Sequence, residues 1–291
     1  MVRRAYESTA SPEAAFLRHY AAVAWGLSRG NVAKSRGYMY VAYRSQATLA
    51  NEPYHLGTAP IGFEDLRILA KITDANSSRA YLAGFDESLT VFEIYRHAIL
   101  PGTIAVDVGA NIGIHSLVLS RCVGEHGGVY SYEPSRILCE RFRENLILNR
   151  VQNVTLRDVG VGASDGILRF EPFPGEFNIG LGKFDASGST DVAVVRLDSD
   201  LPPTGRISLI KIDVEGMELD VIRGAKAVLV QHRPTLVIEY NPNWTLDELR
   251  DQIPYPVKIS SIPMTLRDRA HKLERAALSP EYVNILVEPV T

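Results

Sequence analysis

Three acidic residues in the middle of the chain follow or close short apolar runs, and their spacing suits the binding of a polar ligand. These residues are Asp107, Glu133 and Asp158. If the runs are neighbouring parallel strands, their carboxyl ends meet at the edge of the sheet where open α/β sheets bind ligands. We expect Asp107 to engage an ammonium group or, through water, a sulfonium-bearing amino acid. Glu133 is placed to accept hydrogen bonds from two ribose hydroxyls, and Asp158 to contact an adenine amino group.

A glycine-bearing turn follows Asp107 and reads Asp107-Val-Gly109-Ala-Asn111-Ile-Gly113. Glycine lets a ligand approach the backbone closely, and asparagine tolerates a left-handed conformation better than other ordinary residues. A dinucleotide site would need glycine in place of Asn111 and Ile114, so the pattern argues against NAD. Together with the acids it predicts a site for S-adenosylmethionine. The residues expected to bind this cofactor are Asp107, Gly109, Ala110, Asn111, Gly113, His115, Ser116, Glu133, Pro134, Asp158, Val159 and Asp213.

Three acids and one histidine are candidates for accepting a proton during methyl transfer. Asp213 and Glu215 follow a predicted fourth strand, Glu239 closes a fifth, and His115 begins the helix after the turn. Each could act as a catalytic base. A histidine at a helix start is more often structural, however, and Glu215 could simply stabilise the amino terminus of the next helix. Alternatively, Asp213 and Glu239, with Asn241, could be oxygen ligands of a Mg²⁺ ion that lowers the pKa of a bound hydroxyl.

The pattern from about Gly102 onward predicts the elements that position these residues. Short β-branched runs alternate with amphipathic stretches, as in a parallel sheet with crossover helices. One helix is predicted from Met217 to about Leu229, and the spacing of Thr245 and Glu248 predicts a capping box. The predicted strands cover residues 103–108, 129–132, 154–161, 207–214, 234–240, 257–262 and 282–288, with the last two paired antiparallel.

Two regions depart from this alternation. Residues 164–200 are predicted to form a hairpin insertion with a glycine-rich loop near residues 178–182. Just before it, residues 162–166 match the G-x-S-x-G motif of hydrolases, but that motif requires a helix after the serine and β-type residues follow here, so we interpret it as a turn. Residues 1–86 are predicted to form a mostly helical appendage that serves substrate binding, as a lid, or oligomerisation. Residues 87–291 would form the cofactor-binding domain.

Composition narrows the classes of function. The 291 residues carry 31 basic and 34 acidic side chains, a net charge of −3, so no nucleic-acid partner is expected. The two cysteines, Cys122 and Cys139, lie in predicted helices without metal-binding spacing, which favours a reducing, cytoplasmic location. The apolar run Tyr20–Leu27 is too short to span a bilayer. It is expected in a packed helix capped by Ser11.

Four runs of the sequence resemble the FkbM family of methyltransferases: AVDVGANIGIHS, YSYEPS, LIKIDVEGMELDVIRGA and PTLVIEYN. The resemblance covers roughly Glu87 to the carboxyl terminus. It implies the α/β fold of class I methyltransferases, a Rossmann-like seven-stranded sheet whose last strand is antiparallel. It also implies methylation of hydroxyl groups, typically on sugars or polyketide-type natural products, with S-adenosylhomocysteine as the second product.

Two other functions remain open at this point. The same cofactor site could serve an RNA or protein methyltransferase, which would need a basic face; the appendage contains Arg3, Arg4, Arg18, Lys34, Arg36 and Arg44. Alternatively, the fold could be a binding module without catalysis. An apolar helix near Trp25 could also bury against a second copy of the chain, which would make a homo-oligomer.

Overall fold

The computed structural model describes residues 55–58, 63, 66–70, 89–172, 182–262 and 283–290. The strands are β1 (His55–Thr58), β2 (Arg67–Ala70), β3 (Ile104–Val108), β4 (Gly128–Tyr132), β5 (Val154–Arg157), β6 (Gly160–Val161), β7 (Gly166–Glu171), β8 (Lys183–Phe184), β9 (Thr190–Val195), β10 (Ile207–Ile212), β11 (Thr235–Tyr240), β12 (Val257–Ser261) and β13 (Val283–Pro289). The helices are α1 (Leu89–Ala98), α2 (Ile114–Val123), α3 (Arg136–Asn149), α4 (Leu197–Asp200), α5 (Glu218–Arg223), α6 (Lys226–His232) and α7 (Leu246–Gln252).

Within these residues, seven strands form one sheet, the main sheet, in the order β12-β13-β11-β10-β3-β4-β5. β13 pairs antiparallel with both β11 and β12, and the remaining pairs are parallel. The last strand therefore runs against the other six. This confirms the predicted α/β class, the seven-stranded sheet and the antiparallel pairing at its end.

Helices cover both faces of the main sheet. All six residues of β10 are buried, as expected for a parallel strand packed on both sides. Because side chains alternate across a strand, Val106 and Ile210 face a core shared with α5, α6 and α7, whereas Ala105 and Leu209 face a core shared with α1 and α2. Asp107 and Lys211 belong to the second face by the same alternation, so α1 and α2 lie over them.

The predicted third strand is wrong in its extent, because the chain leaves the main sheet after β5. Residues 158 and 159 separate β5 from β6, and β6 belongs to a second sheet of four strands in the described residues, ordered β6-β9-β7-β8. Within residues 164–200, where an insertion is predicted, β7 and β9 pair antiparallel. A strand follows Ser164, as the interpretation of the G-x-S-x-G match requires. Most of the predicted glycine-rich loop lies outside the described residues.

Two helix predictions have different outcomes. The helix predicted from Met217 to Leu229 is instead α5 and α6, broken at Gly224, whose Cα packs so closely on the carbonyl of Gly162 that a Cβ would lie 2.0 Å from that oxygen. The capping box of α7 is confirmed: the Glu248 N–H donates to the Thr245 hydroxyl, and the Glu248 carboxylate accepts from the Thr245 N–H.

The described part of residues 1–86 contains two strands, β1 and β2, paired antiparallel. The backbone of β2 is held by α3, since the N–H groups of Arg67 and Leu69 donate to the side-chain carbonyls of Asn149 and Asn145. Phe63 and neighbouring apolar residues belong to the same core as α1 and α2. The predicted helical content of the appendage, its basic residues and the helix near Trp25 lie outside the described residues.

None of the described helices is both long enough and apolar enough to cross a membrane. Cys122 and Cys139 are free thiols in α2 and α3, so the prediction that both lie in helices is confirmed.

Candidate functional site

The turn between β3 and α2 lies where the chain reverses its order in the main sheet. β4 and β5 follow β3 on one side, whereas β10 and β11 lie on the other. In open α/β sheets this arrangement leaves a crevice outside the carboxyl ends of the central strands, where ligands bind. Asp107 of β3 and Lys211 of β10 are direct neighbours in register. The candidate site is therefore the edge formed by the ends of β3, β4, β10 and β11.

The two glycines of the turn are required by packing inside the protein. Gly109 has φ +79° and Gly113 φ +89°, a conformation that side-chain-bearing residues rarely adopt. A Cβ on Gly109 would lie 1.7 Å from the carbonyl oxygen of Asp213, and one on Gly113 would lie 2.2 Å from the ring of Phe142. The predicted reason, close approach to a ligand, stays a prediction, and packing already requires both glycines. Asn111 adopts the predicted left-handed conformation, with φ 52°.

Glu133 directly follows β4, and its buried carboxylate faces the backbone of the turn after β3. Its two oxygens accept hydrogen bonds from the backbone N–H groups of Asn111 and Ser135, each at 2.8 Å. Burial raises the pKa of Glu133 to about 7, and the two N–H donors oppose that shift. Each carboxylate oxygen has a second lone pair, so the group can also accept two hydroxyl donors from a ligand.

Asp107 is fully buried and supports the turn from inside. The Ser116 hydroxyl donates to its Oδ2 at 2.5 Å, and the Lys211 ammonium lies 3.2 Å from its Oδ1. Burial raises the pKa of Asp107 above its ordinary value, and Lys211 and Ser116 oppose that shift. Lys211 also lies 3.2 Å from the carbonyl oxygen of Gly109. The predicted contact between Asp107 and a ligand stays a prediction, and the carboxylate already has protein partners.

Asp213 and Glu239 form a carboxyl pair at the ends of β10 and β11. Burial, the charge of Asp213 and a hydrogen bond with it raise the pKa of Glu239 to about 10, so Glu239 is protonated at neutral pH and donates to Asp213. Burial opposes ionisation of Asp213, but the Lys211 ammonium, 3.3 Å away, and the bond from Glu239 hold the pKa of Asp213 below its ordinary value. One member of the pair is therefore an acid and the other an anion.

Glu215 lies two residues beyond Asp213 in a constrained turn. Its φ is +44°, which is uncommon for a residue with a side chain and marks local strain. Burial and the negative charges of Asp213 and Glu218 raise the pKa of Glu215 to about 7. A carboxylate with such a pKa is well matched to accept a proton near neutral pH.

His115, the remaining catalytic candidate, packs under the turn. Its Nδ1 lies 2.8 Å from the Tyr95 hydroxyl of α1, and its ring contacts Phe92. Burial and the charge of Lys211 lower the pKa of His115 well below its ordinary value. The side chain is therefore a neutral imidazole at neutral pH and a weak base.

The other predicted cofactor residues surround the same edge at different depths. Asp158 is exposed at the end of β5 and forms an ion pair with Arg143 of α3, whereas Val159 packs against the core. Pro134 is half-buried beside Glu133. The N–H of Ala110 donates to the carbonyl of Tyr132 at 3.0 Å, which ties the turn to β4.

The metal interpretation would be supported by a cluster of ligand side chains. Among the residues that the structure describes, no group of three or more histidine, cysteine, aspartate or glutamate side chains is arranged to hold an ion. Asp213 and Glu239 do lie together as that interpretation requires. Their charges are already matched, however, by the Lys211 ammonium and a shared proton.

Sequence reasoning did not single out Lys211, Glu218 or Trp244. Lys211 lies within the mostly apolar strand Ile-Ser-Leu-Ile-Lys-Ile, and lysine is almost never fully buried unless it is paired, so its position was a usable signal. The buried Glu218 carboxylate accepts from Trp244 Nε1 at 3.0 Å. That contact joins residues 26 positions apart, and no local pattern reveals it.

Comparison with known proteins adds relatives in sequence. Residues 107–272 match the family model described as the methyltransferase FkbM domain. The chain is similar to the hexuronic acid methyltransferase AglP of Haloferax volcanii, 33% identical over 121 residues, which covers 40% of this chain and 48% of that protein. It is also similar to methyltransferase 1 of Beauveria bassiana, 30% identical over 142 residues, 41% of this chain and 57% of the relative. The chain thus spans about half the length of these two relatives.

One similar solved structure is the methyltransferase FkbM from Methylobacillus flagellatus, with 17% sequence identity and a TM-score of 0.45. The match covers 92% of this chain and 62% of that one. The matched residues include the turn after β3, Glu133 and the ends of β10 and β11. They also include the second sheet, formed by β6, β7, β8 and β9 and called the small sheet below. The chain belongs to the FkbM methyltransferase family.

Proposed function

We propose that the protein transfers the methyl group of S-adenosylmethionine to a hydroxyl oxygen of a small molecule, a sugar or a polyketide-type natural product. The observation that carries the proposal is the grouping of Glu133, Asp213 and Glu215 at the ends of β4 and β10, the strands that flank β3 and its turn. Membership of the family supplies the class of reaction. When bound, the donor supplies an electrophilic methyl group on a positively charged sulfur.

Two carboxylates fit the donor. Glu133 has the capacity to accept hydrogen bonds from both ribose hydroxyls while keeping its bonds to Asn111 and Ser135. Asp213 lies against Gly109, and its side chain is 38% exposed, so it suits the ammonium group of the donor. Asp107 would act indirectly, by holding Lys211 and the turn in place. An adenine contact by Asp158 would have to compete with its Arg143 ion pair.

Glu215 is our candidate for the base that accepts the proton of the acceptor hydroxyl. Its pKa of about 7 leaves a useful fraction ionised at neutral pH. Glu239 is protonated in this range, and Asp213 is engaged by Lys211. His115 is a weaker base than Glu215, because its pKa lies well below the ordinary value.

The class of acceptor is supported by one relative. The Haloferax volcanii protein is named for a hexuronic acid, which is a carbohydrate. A hydroxyl-rich acceptor of similar size is therefore the first class to test, with polyketide-type alcohols as the second. The expected location is cytoplasmic.

Donor binding is tested by isothermal titration of the full chain with S-adenosylhomocysteine. Glu133→Gln should weaken binding about 10- to 100-fold, because charge-assisted hydrogen bonds to the ribose are lost. The matched control is Glu140→Gln, which removes an exposed carboxylate from α3 and should bind like wild type. Absence of binding by the wild-type protein would overturn the donor assignment.

The acceptor is tested with radiolabelled donor against panels of sugars, polyketide-type alcohols, RNA and protein. Transfer to hydroxyls of either small-molecule panel supports the proposal. Transfer confined to RNA or protein would overturn the acceptor class while leaving the donor site intact. Donor binding without transfer to any panel would instead favour a binding module without catalysis.

A further inference from the structure

The turn that carries Glu215 is held by a side chain that sequence reasoning did not single out. Glu215 has φ +44° and Gly216 φ +100°, so two successive residues adopt left-handed backbone at the end of β10. Such strain persists only where the surrounding structure fixes it. The Gly216 N–H donates to Glu218 Oε1 at 2.9 Å, and this bond closes the turn.

The other oxygen of Glu218 is bound from a different strand. Trp244, which follows β11, donates its indole N–H to Glu218 Oε2 at 3.0 Å. Glu218 is 0% exposed and Trp244 is 4% exposed, so the carboxylate is removed from water and both of its oxygens are engaged by neutral donors. Among the described residues no cation forms an ion pair with Glu218, and a buried carboxylate held only by neutral donors is a costly choice for stability alone.

The contact links the two strand ends that carry the candidate catalytic acids. The Trp244 ring packs edge-on against Tyr240, with ring centroids 4.9 Å apart, and Tyr240 is the residue after Glu239. Glu218 therefore connects the Glu215–Gly216 turn of β10 with the segment that follows Glu239 on β11. Glu215 precedes Glu218 by three residues in the same turn, and the negative charge of Glu218 contributes to raising the pKa of Glu215.

We propose that Glu218 is a positioning residue for methyl transfer: by binding Gly216 N–H and the Trp244 indole together, it fixes the Glu215 side chain at the acceptor side of the site. The inference rests on the proposed function, in which Glu215 accepts the acceptor proton. Glu218 itself is fully buried, so it would act through Glu215 and not by contact with the donor or the acceptor.

A role confined to α5 would give a different result. A carboxylate in the first turn of a helix stabilises the helix dipole, and α5 has a second one, Asp220, which is partly exposed and pairs with Arg223. Asp220→Asn is therefore a matched control, because it removes a first-turn charge from the same helix and leaves the Gly216 and Trp244 contacts in place.

The experiment compares Glu218→Gln, Trp244→Phe, the double variant and Asp220→Asn as full-length proteins. Glutamine can accept from only one of the two N–H donors and turns its amide N–H₂ toward the other, so kcat should fall about 10- to 100-fold. Trp244→Phe keeps the ring against Tyr240 and loses one donor, so a smaller loss of about 2- to 10-fold in kcat is expected. Donor affinity should stay within about twofold of wild type, because none of these variants changes Glu133 or its contacts with Asn111 and Ser135.

The double variant separates positioning from packing. In Glu218→Gln the indole N–H competes with Gly216 for one amide oxygen, and removing the indole frees that oxygen for Gly216. The double variant should therefore be at least as active as Glu218→Gln, whereas independent effects would multiply. Melting temperatures measured alongside show which variants remain folded, and the amide proton shift of Gly216 reports its hydrogen bond without turnover.

Three results would overturn the inference. They are unchanged kcat in Glu218→Gln, multiplicative losses in the double variant, or an equal loss in Asp220→Asn. If Glu218→Gln does not fold, Trp244→Phe and the Gly216 shift decide the question, and an unchanged shift with unchanged kcat counts against it. Failure of the wild-type protein to methylate any acceptor would instead refute the proposed function, and the role of Glu218 would fall with it.

Discussion

Lys211 supplies the positive charge that faces Asp107 and Asp213 beneath the turn after β3. The substitution Lys211→Met removes this charge with little change in side-chain shape. The Lys211 ammonium lies 3.2 Å from Asp107, 3.3 Å from Asp213 and 3.2 Å from the Gly109 carbonyl, and the Lys211 and Asp107 side chains are 5% and 0% exposed. Breaking a buried pair by removing one partner costs about 3–5 kcal/mol. The lower end applies, because Asp213 keeps solvent contact and Ser116 still donates to Asp107.

We therefore expect Lys211→Met to lose about 3 kcal/mol of unfolding free energy near pH 8, a fall in Tm of about 10 °C. Without its ammonium, Asp107 has a folded-state pKa still further above the unfolded value. The stability that protonated Asp107 contributes is present at low pH and is lost as the pH rises through the folded-state pKa. The deficit should accordingly shrink toward pH 5.

Urea unfolding of both proteins near pH 5 and pH 8 measures this difference. Asp107→Asn added to Lys211→Met should recover part of the loss, since no uncompensated charge then remains at that position. Lys226→Met, at an exposed position of α6, is the control and should stay within about 0.5 kcal/mol of wild type. A deficit below about 1 kcal/mol near pH 8, or a double variant no more stable than the single one, would refute the reasoning.

Three further outcomes are expected. The pKa of Glu215 is about 7 and a base must be ionised, so kcat should fall as the pH drops below about 7. Glu215→Gln should abolish this pH dependence along with most activity. A pH–rate profile of Glu215→Gln that still falls at low pH in the same way would contradict the assignment. Activity should be the same with and without EDTA, because Lys211 and a shared proton already match the charges of Asp213 and Glu239, and loss restored by Mg²⁺ would revive the metal interpretation. Thr245→Ala should destabilise the protein by about 1 kcal/mol in urea unfolding through loss of the helix cap, and no change would mean that the cap is redundant.

The main sheet was predictable because most of its strands are short apolar runs with β-branched residues that alternate with amphipathic stretches. The turn after β3 was also predictable from local sequence, because Gly109, Asn111 and Gly113 are residue types that tolerate positive φ and all three adopt it. What the sequence did not reveal depends on contacts between distant segments. The break at Gly224 comes from packing against Gly162, and β6 leaves the main sheet because it pairs with β9, more than 30 residues later.

The residue types of the candidate site could be predicted from the sequence, but their protonation states could be predicted less well. Asp213, Glu215 and Glu239 were identified from their places at or just after the ends of strands, but their protonation depends on burial and on one another. The same local pattern thus contains a protonated acid, Glu239, and an anion, Asp213. Lys211 decides between these states, and its influence depends on the register of β3 and β10.

The small sheet has a property that matters for its evolution and for engineering. The strands that begin and end this sheet along the chain, β6 and β9, are hydrogen-bonded neighbours, with Gly160 opposite Val194 and Val161 opposite Val195. The segment between β6 and β9 therefore begins and ends at adjacent positions that are held together by hydrogen bonds. Because the free energy of closing a loop grows only slowly with its length, this segment can be lengthened, shortened or exchanged between relatives while the ends of β3, β4 and β10 stay as they are. Chimeras that swap residues 166–190 are thus a practical way to vary the outer surface of the protein around a constant candidate site.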